Sequence, residues 1–330
     1  MFSTKPLHLR IPARLTGAAV AALVILLGGA SARGQGTPTF TYAAPPESPG
    51  PGAVQWKAQA KGGVVAASGN SQSGAANFGA AASRKQGANK LTLDGNIAYG
   101  RSTIWTPVID TSVIPNVVVG LDGRGTTTTN NWNARGRYDR FFTPNNTGFI
   151  AALGAGDKIA GKTFFGGGQI GYGRQLVNSA MHLLIAELGY DFSYERYVDQ
   201  PGKTLDSVSI HSARVFVGEA LKLSAFTGIS ASVEALFNLN KESGAYKVDT
   251  QQTGVDPFHD TRLTGKVGLT TTLVKSLSFG FGFTVRYDQN PAPRPLPTTT
   301  PAGIGYKSTF FPFADKVDTL TDASLIYTFL

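Results

Sequence analysis

Cysteine is absent from the 330 residues, which excludes disulfide staples, thiolate-bound metals and a lipid-modified N-terminal cysteine. Charged residues are scarce at 15%, and no run of Lys and Arg is interleaved with aromatics, as a nucleic-acid surface would need. Beyond residue 27 no apolar stretch is long enough for a membrane-spanning helix. His182 and His259 each stand alone, with no His/Asp/Glu cluster at metal-ligand spacing. No cofactor or metal is therefore expected. Glycine and proline are plentiful at 40 and 18, but scattered without a collagen period.

The N-terminus has its own pattern. Lys5, Arg10 and Arg14 precede an uncharged apolar run from Gly17 to Leu27, and Ala30-Ser31-Ala32 follows. A basic segment, a short apolar run and a small-x-small site are the marks of a cleaved signal peptide over residues 1–32. Cleavage after Ala32 would start the mature chain at Arg33 and lower the formal charge from +9 to +6. Residues 33–53, with five prolines and little hydrophobicity, read as a periplasmic linker. An exported chain without an apolar helix can enter a membrane only as a closed barrel.

From residue 54 onward the character is period-two alternation. Leu91, Leu93, Gly95, Ile97 and Tyr99 oppose Lys90, Thr92, Asp94, Asn96 and Ala98. Leu277, Phe279, Phe281, Phe283, Val285 and Tyr287 likewise oppose Ser278, Gly280, Gly282, Thr284, Arg286 and Asp288. A strand segregates such sets onto two faces, whereas a helix scatters them. The same reading predicts twelve strands, at 54–67, 74–86, 90–101, 126–140, 148–157, 165–176, 181–197, 208–222, 225–239, 260–273, 277–288 and 317–329. Their connections alternate: short turns such as QGAN, FTPNNT, VNSA, LKLS and VKS, and longer segments at 102–125, 198–207, 240–259 and 289–316. Short periplasmic turns with longer outer loops are what an antiparallel up-and-down transmembrane β-barrel requires, here over residues 54–330. Aromatics gather at the strand ends, as headgroup-level girdles should. Trp56, Tyr138, Phe141, Phe142, Phe149, Tyr327 and Phe329 lie on the periplasmic side, and Tyr99, Trp105, Tyr194, Tyr197 and Tyr287 on the outer side.

Several motifs carry a family resemblance. They include Gly69-Asn70-Ser71, Tyr99-Gly100, Arg137-Tyr138-Asp139, the run from Gly171 to Leu176, and Glu187-Leu188-Gly189-Tyr190 with Tyr194-Glu195. Tyr287-Asp288 with Pro291 and Pro293, Asp318-Thr319, and Leu325-x-Tyr327-x-Phe329 complete the set. In this order the chain resembles the salt-induced outer membrane proteins, the YdiY-like family, over roughly residues 54–329. The resemblance implies a Gram-negative outer-membrane location and an envelope or osmotic-stress role, and no activity. It also implies contact with outer-membrane lipid and lipopolysaccharide. Tyr327 and Phe329 would be the insertion signal read by the barrel assembly machinery, although Leu330 follows where that signal ends on an aromatic.

The polar faces should line the lumen. They carry Lys57, Lys61, Lys85, Lys90, Arg135, Arg137, Arg214, Arg262, Lys266 and Arg286. Asp94, Asp139, Glu187, Asp191, Glu195, Glu234, Asp288, Asp318 and Asp322 join them. This near balance favours a lumen laced with ion pairs over a one-signed field, and twelve strands suggest a narrow bore. Glu187, Asp191 and Glu195 on one strand, with Arg214 on the next and Arg135 and Arg137 nearby, form a candidate charge ladder or cation path. A passive channel or structural envelope protein, not an enzyme, is the expectation. The alternative is an outer-membrane lipid hydrolase using Ser209 and His211 on a lipid-facing strand surface, but a third orienting group is missing. The FFGGGQIGYG stretch lacks the Lys-Ser/Thr of a phosphate loop and reads as tight strand packing.

Overall fold

The structure is a computed structural model, and it describes residues 53–67, 73–110, 112, 117–200, 204–242, 254–293, 296 and 313–329. The signal-peptide reading with Ala30 and Ala32, and nearly all of the linker, lie outside the described residues. Within them the chain forms twelve strands: β1 (Val54–Ala67), β2 (Ser73–Gln86), β3 (Asn89–Asp110), β4 (Val117–Thr143), β5 (Asn146–Asp157) and β6 (Lys162–Asn178). The second half is β7 (His182–Tyr197), β8 (Val208–Lys222), β9 (Thr227–Asn238), β10 (Thr261–Val274), β11 (Leu277–Asp288) and β12 (Val317–Thr328). Each strand pairs antiparallel with its neighbours in sequence, and β1 pairs with β12, so the sheet is a closed barrel. Closure satisfies every strand edge, which is the condition for crossing lipid. The closing seam is short, with Gln59–Gly62 opposite Leu325–Thr328.

Two local features follow from the sequence. At the QGAN turn Gly87 has φ 53°, a left-handed conformation that glycine adopts without strain, and β2 folds directly onto β3. The predicted loop 102–125 is instead a hairpin extension. Strand pairing continues from Arg101↔Thr127 to Asp110↔Val117, with irregularities at Gly100/Arg101 and Val108/Ile109. Thr, Ile and Val are strand formers, and the two arms, joined by a short connection, continue the β3–β4 pairing by satisfying each other's backbone groups.

The alternation has the expected sense. Leu93, Ile97, Tyr99, Leu188, Val233, Phe281 and Leu325 stand exposed on the outer surface, forming an apolar exterior. Three aromatics depart from the girdles. Phe149 and Tyr197 are fully buried and Phe141 nearly so, because strand parity turns them toward the lumen, where charged side chains use their rings.

The lumen is not filled uniformly. On the β5–β6 side Ala151, Leu153, Ala155 and Phe165 pack as an apolar cluster inside the barrel. At the end opposite the short turns Tyr197, Leu205, Val208, Ile210 and Ala292 form a second cluster, with Val255 against it. Inward residues across the barrel are not covered in this way. Lys57, Gln59 and Lys61 of β1 are exposed. Leu320 of β12, opposite the inward Thr284, is 45% exposed although it faces the interior. Solvent therefore reaches the lumen beside Lys57, Gln59 and Lys61 of β1 and Leu320 of β12, although the inward Asp318 and Ser324 of β12 are buried.

Candidate functional site: the lumen

The packed wall is held by a network of ion pairs. Glu187 of β7 takes Arg137 Nη2 of β4 at 2.7 Å and Arg214 Nη1 of β8 at 2.8 Å. Arg137 also donates to Asp139 at 2.9 Å, and Arg214 to Glu234 of β9. Phe149, turned inward from β5, stacks its ring 4.0 Å from the Arg137 guanidinium and 5.5 Å from that of Arg214. A cation over a ring face in a dry setting is stabilised by the ring quadrupole. Phe149 fits there because Gly171 opposite has no side chain: a Cβ at Gly171 would lie 2.7 Å from the Phe149 ring and 2.6 Å from the Leu188 carbonyl. The glycine-rich stretch thus accommodates close packing.

A second network sits toward the end opposite the short turns. Glu195 takes Lys162 Nζ at 2.9 Å, Arg262 Nη1 at 2.5 Å and the Tyr197 hydroxyl at 2.7 Å. Arg262 also pairs with Asp260 at 2.9 Å and lies 3.8 Å from Asp288. Lys162 and Tyr197 were not among the candidate residues. Lys162 sits at the start of its strand, and Tyr197 was assigned to a girdle by its type.

Of the predicted ladder, the structure brings together Glu187, Arg214 and Arg137 in one network and places Glu195 in another. Asp191 lies between them in no ion pair among the described residues; it accepts hydrogen bonds from Gln169 Nε2 and the Ser193 hydroxyl, both at 2.7 Å. Arg135 pairs instead with Asp94 of β3. Tyr327 and Phe329 are exposed and meet edge to face, with ring centroids 4.9 Å apart.

Beside the second network lies an unusual carboxylate. Glu242, on the segment that bridges to Val255, is fully buried, and neither carboxylate oxygen has a hydrogen-bond partner. Burial, with Asp260 next in weight, pushes it up to about 8. Burial likewise pushes Asp260 up to about 6, the pull of Arg262 being outweighed by burial and the nearby Asp288 and Glu195.

Ser209 and His211 do share the outer face of β8, but they form no couple. The His211 Nδ1 is engaged by the Tyr190 hydroxyl, and its ring packs 5.2 Å from that of Phe192. Among the described residues no group of three His, Cys, Asp or Glu side chains could hold a metal ion.

The residues of these networks fall within residues 60–329, which match the model of the family described as "Protein of unknown function, DUF481". The chain belongs to that family. No curated protein matches it in sequence. Among solved structures, a NanC porin is similar at 8% identity, covering 83% of this chain and 100% of its own, with a TM-score of 0.42. The translocator domain of the autotransporter NalP from Neisseria meningitidis is similar at 12% identity, covering 86% and 90%, with a TM-score of 0.40. The outer membrane channel DcaP of Acinetobacter baumannii is similar at 11% identity, covering 87% and 100%, with a TM-score of 0.31.

Proposed function

We propose that the protein is a narrow passive channel of the Gram-negative outer membrane. The observation that carries this reading is the division of the lumen. Ion pairs and apolar clusters pack the β4–β9 side, while Lys57, Gln59 and Lys61 of β1 and Leu320 of β12 stand exposed on the inner face. A purely structural barrel of this size would gain by filling both sides, since packed interiors are favoured over wet ones unless the water is used. The apolar exterior and the closed sheet support a membrane location, and export through a cleaved signal peptide directs it to the outer one. Outer-membrane lipid and lipopolysaccharide are then its surroundings, and the barrel assembly machinery its partner during biogenesis. A role in osmotic or salt stress would follow from a small regulated leak.

The test is conductance. Residues 33–330, refolded into a planar bilayer, should give small, discrete conductance steps. A barrel that folds, shown by its melting transition, yet never conducts refutes the channel reading. The same preparation should not hydrolyse phospholipid; hydrolysis abolished by Ser209→Ala would establish the hydrolase reading instead.

A further inference from the structure

The outward surface of the barrel is not covered evenly. On β7–β12 it carries large side chains such as Leu188, Val217, Val233, Phe281 and Leu325. On β1–β5 it carries a trench. Ala60, Ala80, Gly95, Ala134 and Gly154 stand in register across the five strands. The next outward row toward the short turns runs from Ala58 and Ala82 to Gly136 and Ala152, with only Leu93 large. These rows bound an apolar groove of about 750 Å³ with Phe329 at its edge. Trp56, Leu91, Tyr138 and Ile150 stand exposed on its short-turn side, and Phe78, Ile97 and Trp132 on the other. Five strands spaced ~4.8 Å apart make the trench roughly 19 Å long, against about 15 Å for the hydrocarbon of one leaflet.

The short-turn rim of the groove is basic. Arg84 of β2 lies two residues beyond Ala82, in register with Trp56 and Leu91, and its guanidinium is 5.9 Å from the Trp56 ring centroid. Arg140 of β4 is exposed, in register with Asn89. Neutral side chains hold both: Arg84 Nη2 donates to Gln86 at 2.6 Å, and Arg140 Nη1 to Asn89 Oδ1 at 2.7 Å. Neither arginine forms an ion pair among the described residues. The carboxylates nearby on these strands, Asp94 and Asp139, point inward to Arg135 and Arg137.

We infer that this face binds an anionic phospholipid, with an acyl chain in the groove and the phosphate on Arg84 and Arg140. The inference goes beyond the channel reading and does not depend on whether the lumen conducts. A groove on a lipid-facing surface is filled by whatever restores its lost dispersion contacts, and a flexible chain fits a narrow one. Arginine offers a planar fork that matches phosphate oxygens. A second copy is the poorer occupant. In a membrane the two-fold axis runs along the normal, so residues of equal depth meet, and each arginine rim would face its own like charge.

The experiment uses tryptophan quenching, because Trp56 and Trp132 flank the groove and Trp105→Phe removes the third tryptophan. Protein purified from the envelope fraction is reconstituted in phosphatidylcholine vesicles. These carry a minor fraction of dibrominated phosphatidylglycerol or, for comparison, dibrominated phosphatidylcholine. At about 0.1 M salt, where screening reaches near 10 Å, the glycerol lipid should quench as though bound about fivefold more tightly, the effect of roughly one cation at the surface. Arg84→Gln with Arg140→Gln should remove the preference and leave the melting temperature unchanged. Ala80→Leu with Ala134→Leu, both at exposed outward positions, should fill the groove and reduce the preference although the arginines remain. Equal quenching by the two lipids, or a preference indifferent to either pair of substitutions, overturns the site. Lipopolysaccharide that displaces the brominated lipid assigns the groove to another lipid. A dimer in detergent that the leucine pair dissociates assigns it to a second copy. Either result overturns the phospholipid assignment.

Discussion

At the scale of single residues, Arg214 carries the most consequence. It is 1% exposed and joins Glu187 of β7 to Glu234 of β9. Removing one partner of a buried pair leaves an uncompensated charge and costs about 3–5 kcal/mol. Arg214→Ala should therefore lower the melting temperature markedly. Adding Glu187→Gln should cost less than the two single effects combined, a coupling read from a double-mutant cycle. Glu242 makes a different prediction. Its carboxyl is neutral up to about pH 8 in the fold, whereas an ordinary glutamate ionises near pH 4.3. A pKa raised by folding contributes stability that is complete below the ordinary value and is lost as pH rises through the folded one. The Glu242 and Val255 amides, which donate to each other's carbonyls at 2.8 and 2.9 Å, should lose exchange protection between about pH 4 and 8. Correction for intrinsic exchange is needed, and Glu242→Gln should flatten the profile.

At the scale of elements, facing is the testable property. Phe281 of β11 points outward and is 44% exposed. Phe281→Arg should destabilise the barrel by about 2–4 kcal/mol if that site lies at mid-depth in lipid. Its inward neighbour Gly282 is not a permissive control, since a Cβ there would collide with the Asp322 carboxylate. Thr264 of β10, half-buried on the inner face, is the better comparison, and Thr264→Arg should be tolerated more easily. Equal sensitivity at both sites would contradict the assignment of faces. Packing between β5 and β6 gives a further test. Gly171→Ala should displace the Phe149 ring from beneath Arg137 and lower the melting temperature by the cost of overpacking, about 1–3 kcal/mol. The element boundaries themselves were readable because alternation is a local property of the chain. The hairpin beyond Gly100 was not, since residues 102–125, with Pro107 and several glycines among them, carry no regular alternation to mark it.

At the scale of the whole molecule, the sequence by itself determined a closed barrel of twelve strands, the sense of its faces and the places of its short turns. All of these follow from a period of two residues and from turn chemistry, which act over a few positions at a time. Export makes the matching prediction: N-terminal sequencing of the envelope-fraction protein should begin at Arg33, and an intact Met1 would refute cleavage after Ala32. Only the tertiary structure decided which charges meet. Arg137 and Glu187 lie fifty residues apart on strands β4 and β7, which are not neighbours in the sheet, so their pairing depends on how the barrel closes across its bore. The same closure places Arg135 with Asp94, leaves Asp191 without an ion pair, and turns Phe149 toward two guanidiniums. It also packs one side of the lumen while leaving Lys57, Gln59 and Lys61 of β1 exposed. A sequence can count lumenal charges, but which of them pair is decided by distances of a few ångströms across the barrel, where Coulomb energies and desolvation are largest.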